Sequence, residues 1–252
     1  MAHKDMEFRR EDGLAVRGRM FIPDDLAPGE KRPLAVFAHG LGGNYRELEH
    51  HGAGMAEDGL CAFLFDFCGG GAESISDGSP EDMTIPGECG DLETVVKGLT
   101  SADFIDSSNI FLMGESLGGL VAALTGAKMK DDIRGLILWY AAFGLPVAAK
   151  RYAAEMQASA VEEFGMPLGD GFFSTGAAID SYGEAKAYTG PVLLIHGDLD
   201  DTVPLRSSVR ASEVYEDAEL IVIEGGGHGF DGDDSRHARE YSVDFIKRHV
   251  IE

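Results

Sequence analysis

The chain has 252 residues, 44% of them hydrophobic, which is enough to bury one substantial core. Its 21 Lys and Arg against 44 Asp and Glu leave a formal net charge of -23, which argues against nucleic acid and anionic membrane surfaces as partners, because a phosphate-binding face must be basic. The longest apolar runs, GLILWYAAFGL at 135–145 and PVLLIHG at 191–197, fall short of the ~20 residues that a membrane-spanning helix needs, so a neutral small molecule is the expected partner.

The first predicted elements are MEFRRE and LAVRGRMFIP, which alternate in polarity on either side of Asp12-Gly13 and predict an antiparallel hairpin. No apolar stretch of the kind that directs secretion lies in MAHKDMEFRREDG, and Cys61, Cys68 and Cys89 are an odd set, so a reduced, cytoplasmic setting is expected. Beyond the hairpin the pattern changes. PLAVFAHG at 33–40, CAFLFDF at 61–67, NIFLMGE at 109–115, RGLILWYA at 134–141, PVLLIHG and ELIVIEG at 219–225 are nearly continuous hydrophobic runs, as parallel strands covered on both faces require. Helical patterns fall between them at 45–58, 86–100, 117–129, 205–215 and 234–249. Strand alternating with helix predicts an α/β chain with a doubly wound, mostly parallel sheet, in a single domain spanning 1–252. The interruption is 142–189, longer than a crossover needs and rich in aromatic residues, which is read as an inserted lid.

Chemistry concentrates at the ends of the predicted strands. In FLMGESLGGLV, at 111–121, Ser116 stands between Gly114 and Gly118 at a strand-to-helix turn, which aims the N–H of Leu117 and the positive end of the helix at a reacting group. A serine nucleophile also needs a base, an orienting acid and a second oxyanion donor. His228, among glycines after a late strand, is the candidate base. His3, His237 and His249 read as exposed, His50 and His51 have no partner at metal-ligand spacing, and His196 at a strand end is assigned a structural role. The acid falls in HGDLDDTVP, where local chemistry leaves Asp198, Asp200 and Asp201 open, since each also fits a turn or capping position. HGLGG at 39–43 follows the first parallel strand and offers the N–H of Leu41 as the second donor. The same loop lacks the G-x-G-x-x-G pattern and the P-loop lysine of nucleotide sites.

HGLGG at 39–43, GESLG at 114–118, GDLDDTVP at 197–204 and GGHGF at 226–230, in that order on alternating strands and helices, resemble the α/β-hydrolases over nearly the whole chain. The family's G-x-x-D-x-x-V-P pattern places the acid on Asp200, and its order of nucleophile, acid and histidine is the order found here. A narrower resemblance, carried by FDFCGGGAESISDG at 65–78, GECGDLETVV at 87–96 and the inserted lid, is to the small bacterial cinnamoyl or feruloyl esterases. What the resemblance implies is a serine carboxylic ester hydrolase with Ser116, Asp200 and His228 as its triad, Leu41 and Leu117 as its oxyanion hole, an acyl-enzyme intermediate, and neither metal nor organic cofactor. Feruloyl-type esters are the implied substrates, with Phe172, Phe173 and Tyr182 of the lid as ring contacts beside Tyr152 and Phe164, and Tyr140 and Phe143 at its root. The alternatives are a prolyl-oligopeptidase-like peptidase, an acyl thioesterase, a lipase or an acyltransferase and, in a different class, a ligand receptor on the same scaffold.

Overall fold

The Asp12-Gly13 turn is left-handed at Gly13, with φ 92°, and folds β1 (Ala2–Arg9) back on β2 (Ala15–Ile22) in antiparallel register, from Ala2 opposite Ile22 to Arg9 opposite Ala15. The structure, a computed structural model, describes residues 2–251. β1 begins at Ala2, ahead of the Met6 that the polarity alternation marks as its start. Its polar residues are tolerated because an edge strand faces water, and Asp5 is held across the pair by Arg19 at 2.7 Å.

The next strands are β3 (Arg32–Ala38), β4 (Cys61–Asp66), β5 (Ile105–Glu115), β6 (Gly135–Trp139), β7 (Val192–Gly197) and β8 (Ala218–Ile223). Among the described residues they form one sheet in the order β1-β2-β4-β3-β5-β6-β7-β8, antiparallel at β1, β2 and β4 and parallel from β4 to β8. This is the α/β-hydrolase fold. The helices are α1 (Glu49–Glu57), α2 (Ile85–Leu99), α3 (Ser116–Lys128), α4 (Leu145–Arg151), α5 (Ala153–Phe164), α6 (Asp170–Gly176), α7 (Ser181–Ala185), α8 (Arg206–Val214) and α9 (Gly232–His249).

Two apolar layers follow from the two-residue period of the strands. Leu112, Leu138 and Leu194 face α2, α3 and α8, while Met113, Trp139 and Ile195 face α1 and α9. With both faces covered, these strands have no polar side to show, which is why their sequences read as unbroken apolar runs. Helices α4 to α7 occupy the interval between β6 and β7, where a simple crossover would suffice. The carboxyl ends of β3, β5, β6, β7 and β8 therefore carry Leu41, Ser116, Tyr140, Asp200 and His228 on the loops that leave them, the edge at which open α/β sheets hold their ligands.

Candidate active site

Ser116 has φ 50°, the left-handed region that non-glycine residues adopt only when their surroundings hold them there, at a cost on the order of 1–3 kcal/mol. The glycines around it permit the turn. A Cβ at Gly114 would stand 2.3 Å from the carbonyl oxygen of Gly118, and one at Gly118 would stand 2.4 Å from those of Ala38 and His39. With these glycines, strand β5, the start of α3 and the end of β3 meet backbone to backbone.

His228, on the loop after β8, sets Nε2 3.1 Å from Ser116 Oγ and Nδ1 2.8 Å from Asp200 Oδ2. The carboxyl of Asp200 is fully buried, and its other oxygen accepts the N–H groups of Thr202 at 2.9 Å and Val203 at 2.7 Å. Its neighbours are engaged elsewhere. Asp198 accepts the N–H of Gly225 at 2.7 Å, and the exposed Asp201 accepts the hydroxyl of Thr202 at 3.3 Å. The structure thus brings Asp200, and neither of the other two acids left open by local sequence, to His228.

Leu117 is the second residue of α3, so its N–H lies among the amides that a helix leaves without an internal partner. Leu41 N–H meets no acceptor among the described residues. Both residues line the same cleft as Ser116. The loop that holds Leu41 is tied down by its neighbours: Gly40 N–H donates to Glu115 Oε1 at 3.3 Å, and His39 Nδ1 lies 2.7 Å from the Gly40 carbonyl while its Nε2 accepts the N–H of Phe67.

Two roles here escaped the sequence reading, that of Glu115 and that of Tyr140, which the sequence places only at the root of the lid. Tyr140 also sits in the left-handed region, φ 34°, and donates its hydroxyl to Glu115 Oε2 at 2.6 Å. Burial, reinforced by the Glu115 carboxylate, pushes that phenol well above its ordinary value, so it stays a donor. Its ring meets the His228 imidazole edge-on at 4.9 Å. Glu115 and Tyr140 thereby join the Ser116 turn, the Leu41 loop and His228. The only sequence signal was the acid inside GESLG, and nothing local announces a left-handed tyrosine.

The cleft has a volume of about 1420 Å³, and Leu41, Phe143, Tyr152, Met156 and Tyr182 are among its walls. The expected ring contacts divide. Tyr182 lines the cleft, stacked on Phe143 at 5.1 Å, with the Arg210 guanidinium 4.0 Å over its ring and its hydroxyl donated to the Ser207 carbonyl. Phe172 is fully buried in the core and Phe173 packs edge-on against it at 5.3 Å, because α6 lies against α4 and α2 instead of along the cleft. That placement corrects the expectation that all three rings face the substrate; the side chain of Phe164 lies outside the described residues. Among the described residues no group of three or more His, Cys, Asp or Glu is placed to hold a metal ion, and no helix is long and apolar enough to cross a membrane.

A family model described as serine aminopeptidase, S33 (Hydrolase_4) matches residues 29–170, a span that includes Leu41 and Ser116 and ends before Asp200 and His228. YfhR of Escherichia coli K12, an uncharacterised protein, is 24% identical over 248 residues, covering 96% of this chain and 80% of YfhR. Among solved structures, Est1E from Butyrivibrio proteoclasticus with ferulic acid bound superposes with a TM-score of 0.83 at 25% identity, covering 97% of this chain and 98% of Est1E. The α/β hydrolase GrgF from Penicillium sp. sh18 superposes with a TM-score of 0.79 at 20% identity, covering 99% of both chains.

Proposed function

Because the chain belongs to the serine aminopeptidase S33 (Hydrolase_4) family of hydrolases, we propose that it is a serine carboxylic ester hydrolase working through an acyl-enzyme. The observation that carries this reading is the hydrogen-bonded line from Asp200 through His228 to Ser116, at 2.8 and 3.1 Å, with the serine on a left-handed turn. Ser116 Oγ attacks the ester carbonyl carbon as its proton passes to His228 Nε2. The oxyanion that forms is received by the N–H groups of Leu41 and Leu117, and Asp200 stabilises the imidazolium from the Nδ1 side. Collapse breaks the bond to the leaving alkoxide, which takes the proton from His228 and departs as the alcohol. Water then enters, gives a proton to His228 and adds to the acyl carbon. Its collapse returns the proton to Ser116 and releases the acid.

For the acyl group we propose hydroxycinnamoyl, feruloyl-type esters. Support comes from the ferulic acid bound in Est1E and from the stacked Phe143 and Tyr182 in the cleft wall. One face of Tyr182 is taken by Phe143 and Arg210 stands over the ring, so a substrate ring meets its edge. Helices α4, α5 and α7 serve as the lid over this slot, within one catalytic domain.

The family's description favours a second reading, an aminopeptidase. Glu155, Glu163 and Glu213 line the cleft without an ion pair among the described residues, and an α-ammonium group is a cation they would accept. A hydrolysis panel separates the two: methyl ferulate, p-nitrophenyl acetate, a long-chain ester, an acyl thioester and aminoacyl or prolyl nitroanilides. The ester reading expects a burst of nitrophenol from the acetate and the highest kcat/KM on methyl ferulate. Fastest turnover of an aminoacyl nitroanilide would move the assignment to peptide bonds.

A further inference from the structure

The carboxylate proposed as the acid is approached by two imidazoles. His196, on β7, is completely buried. Its Nε2 lies 2.7 Å from the carbonyl oxygen of Val203 and 3.2 Å from Asp200 Oδ2, and its Nδ1 lies 2.7 Å from the hydroxyl of Ser208, itself fully buried on α8. These neighbours dictate where the proton sits. A carbonyl oxygen only accepts, so Nε2 carries the hydrogen, and Nδ1 is left to accept the Ser208 hydroxyl. Burial holds this imidazole's pKa below its ordinary value, against the opposing pull of the Val203 carbonyl and Asp200, and keeps it neutral.

Two consequences follow. Asp200 Oδ2 receives the N–H of His228, and His196 Nε2, whose N–H is donated to the Val203 carbonyl, stands 3.2 Å from the same oxygen, close enough for its polarised N–H to act on the carboxylate. Val203 is gripped at both ends, its N–H by Asp200 and its carbonyl by His196, so the four-residue loop that presents the acid closes on the imidazole. A purely space-filling side chain at this position would need neither the fixed tautomer nor Ser208.

We propose that His196 is a positioning residue for the reaction: held in its Nε2–H tautomer by the Val203 carbonyl and anchored through Nδ1 by the Ser208 hydroxyl, it fixes Asp200 Oδ2 opposite His228 and takes up part of the carboxylate's charge. This rests on the reading of Asp200 and His228 as the acid and base of an ester hydrolase. The titratable groups around His228 and Asp200 are His196 from β7, Tyr140 after β6 with its hydroxyl on Glu115, and, on Asp200's own loop, Asp198 and Asp201. Arg206, at the start of α8, lines the same cleft. Loss of the His196 donor leaves the charge on Asp200 more concentrated. His228 then holds its proton more tightly, and the acidic limb of kcat/KM moves to higher pH.

Two amides of different length test this. A glutamine amide at 196 reaches the place of Nε2 and keeps the donor to Asp200 and Val203, whereas an asparagine amide reaches only the place of Nδ1, beside Ser208. His196→Gln is expected to keep kcat within about threefold of wild type with an unshifted acidic limb. His196→Asn is expected to lose kcat on the order of tenfold at little-changed KM, with the limb moved up, a loss well short of the ~10⁴ expected when the acid itself is neutralised. Ser208→Ala, which removes the hydroxyl that anchors Nδ1 and so loosens the ring's hold beside Asp200, is expected to act in the same direction as His196→Asn and carries the test if that variant does not fold. Equal kcat and unshifted limbs in His196→Gln, His196→Asn and Ser208→Ala, or changes in Tm alone, overturn the inference while the hydrolase reading stands. Wild-type chain that shows no Ser116-dependent ester turnover overturns the hydrolase reading itself.

Discussion

At Ser116 the backbone is forced into a conformation that its side chain disfavours, and the relief lies in the glycines beside it. The two residue types therefore fail in different ways. Ser116→Ala is expected to fold with a wild-type Tm and to lose nearly all esterase activity, up to ~10⁶ in turnover; retention of more than about a tenth would remove it as the nucleophile. Gly118→Ala pushes a Cβ into the carbonyls of Ala38 and His39, so the end of β3 and the Leu41 loop must shift. Both Tm and kcat should fall, as thermal unfolding and steady-state rates will show. For the acid, Asp200→Asn should cost on the order of 10⁴ in kcat, because an amide permits the wrong imidazole tautomer. Asp198→Asn should leave kcat near wild type, since Asp198 holds the Gly225 N–H and does not touch His228. Residues were legible in sequence wherever a turn had to be made. GESLG and GGHGF advertise glycine beside a reactive group, whereas Asp198, Asp200 and Asp201 look alike in local chemistry, and only the family pattern singled out Asp200, the one the fold turns to the imidazole. The contacts of Glu115 with Tyr140 and of His196 with Asp200 join different strands, so no local pattern reports them.

Among the elements, the inner parallel strands were the most legible, because burial on both faces leaves a continuous apolar run that few other structures produce, whereas β8 at the sheet edge is half exposed. The start of β1 was not, since an exposed edge strand imposes no polarity pattern on Ala2 to Asp5. The lid is the least legible part. Its four short helices follow one another between β6 and β7, and whether an aromatic residue there faces the cleft or the lid's own core depends on how α6 packs, which its sequence does not encode locally. Phe172 and Tyr182 should separate cleanly. Phe172→Leu is expected to lower Tm and to change kcat/KM for methyl ferulate and an acetyl ester by the same factor. Tyr182→Leu should reduce kcat/KM for methyl ferulate by about threefold to tenfold while sparing the acetyl ester, the size of one lost aromatic contact. Equal losses on both substrates in Tyr182→Leu would return that ring to a structural role.

Over the whole molecule, buried titratable groups, Glu88 and His51 among them, shape the dependence of stability on pH. Glu88 is buried with Oε2 unpartnered, and burial, with Asp91 adding to it, raises its pKa well above the usual carboxyl value. A carboxyl raised on folding opposes folding wherever the unfolded chain would ionise it. Glu88→Gln should therefore raise Tm at neutral pH, the gain closing as pH falls toward about 4. His51 behaves in the opposite sense. Burial, with His50 and Arg239 adding to it, lowers its pKa to about 3, so its contribution is intact above the unfolded value near 6.5 and is lost as pH falls below it. Unfolding measured between those values should show wild type losing stability toward acid and His51→Gln losing less. A variant with the same slope as wild type would mean that another group carries the acid sensitivity.

The central claim is that acyl transfer passes through Ser116, and it is read most directly by quenching the chain in acid during turnover of p-nitrophenyl acetate, then measuring intact mass and mapping the modified peptide. A single acetyl group is expected, on Ser116, appearing with the burst of nitrophenol and absent from Ser116→Ala. An acetyl group carried stably on another residue, or a burst that persists in Ser116→Ala, would contradict it.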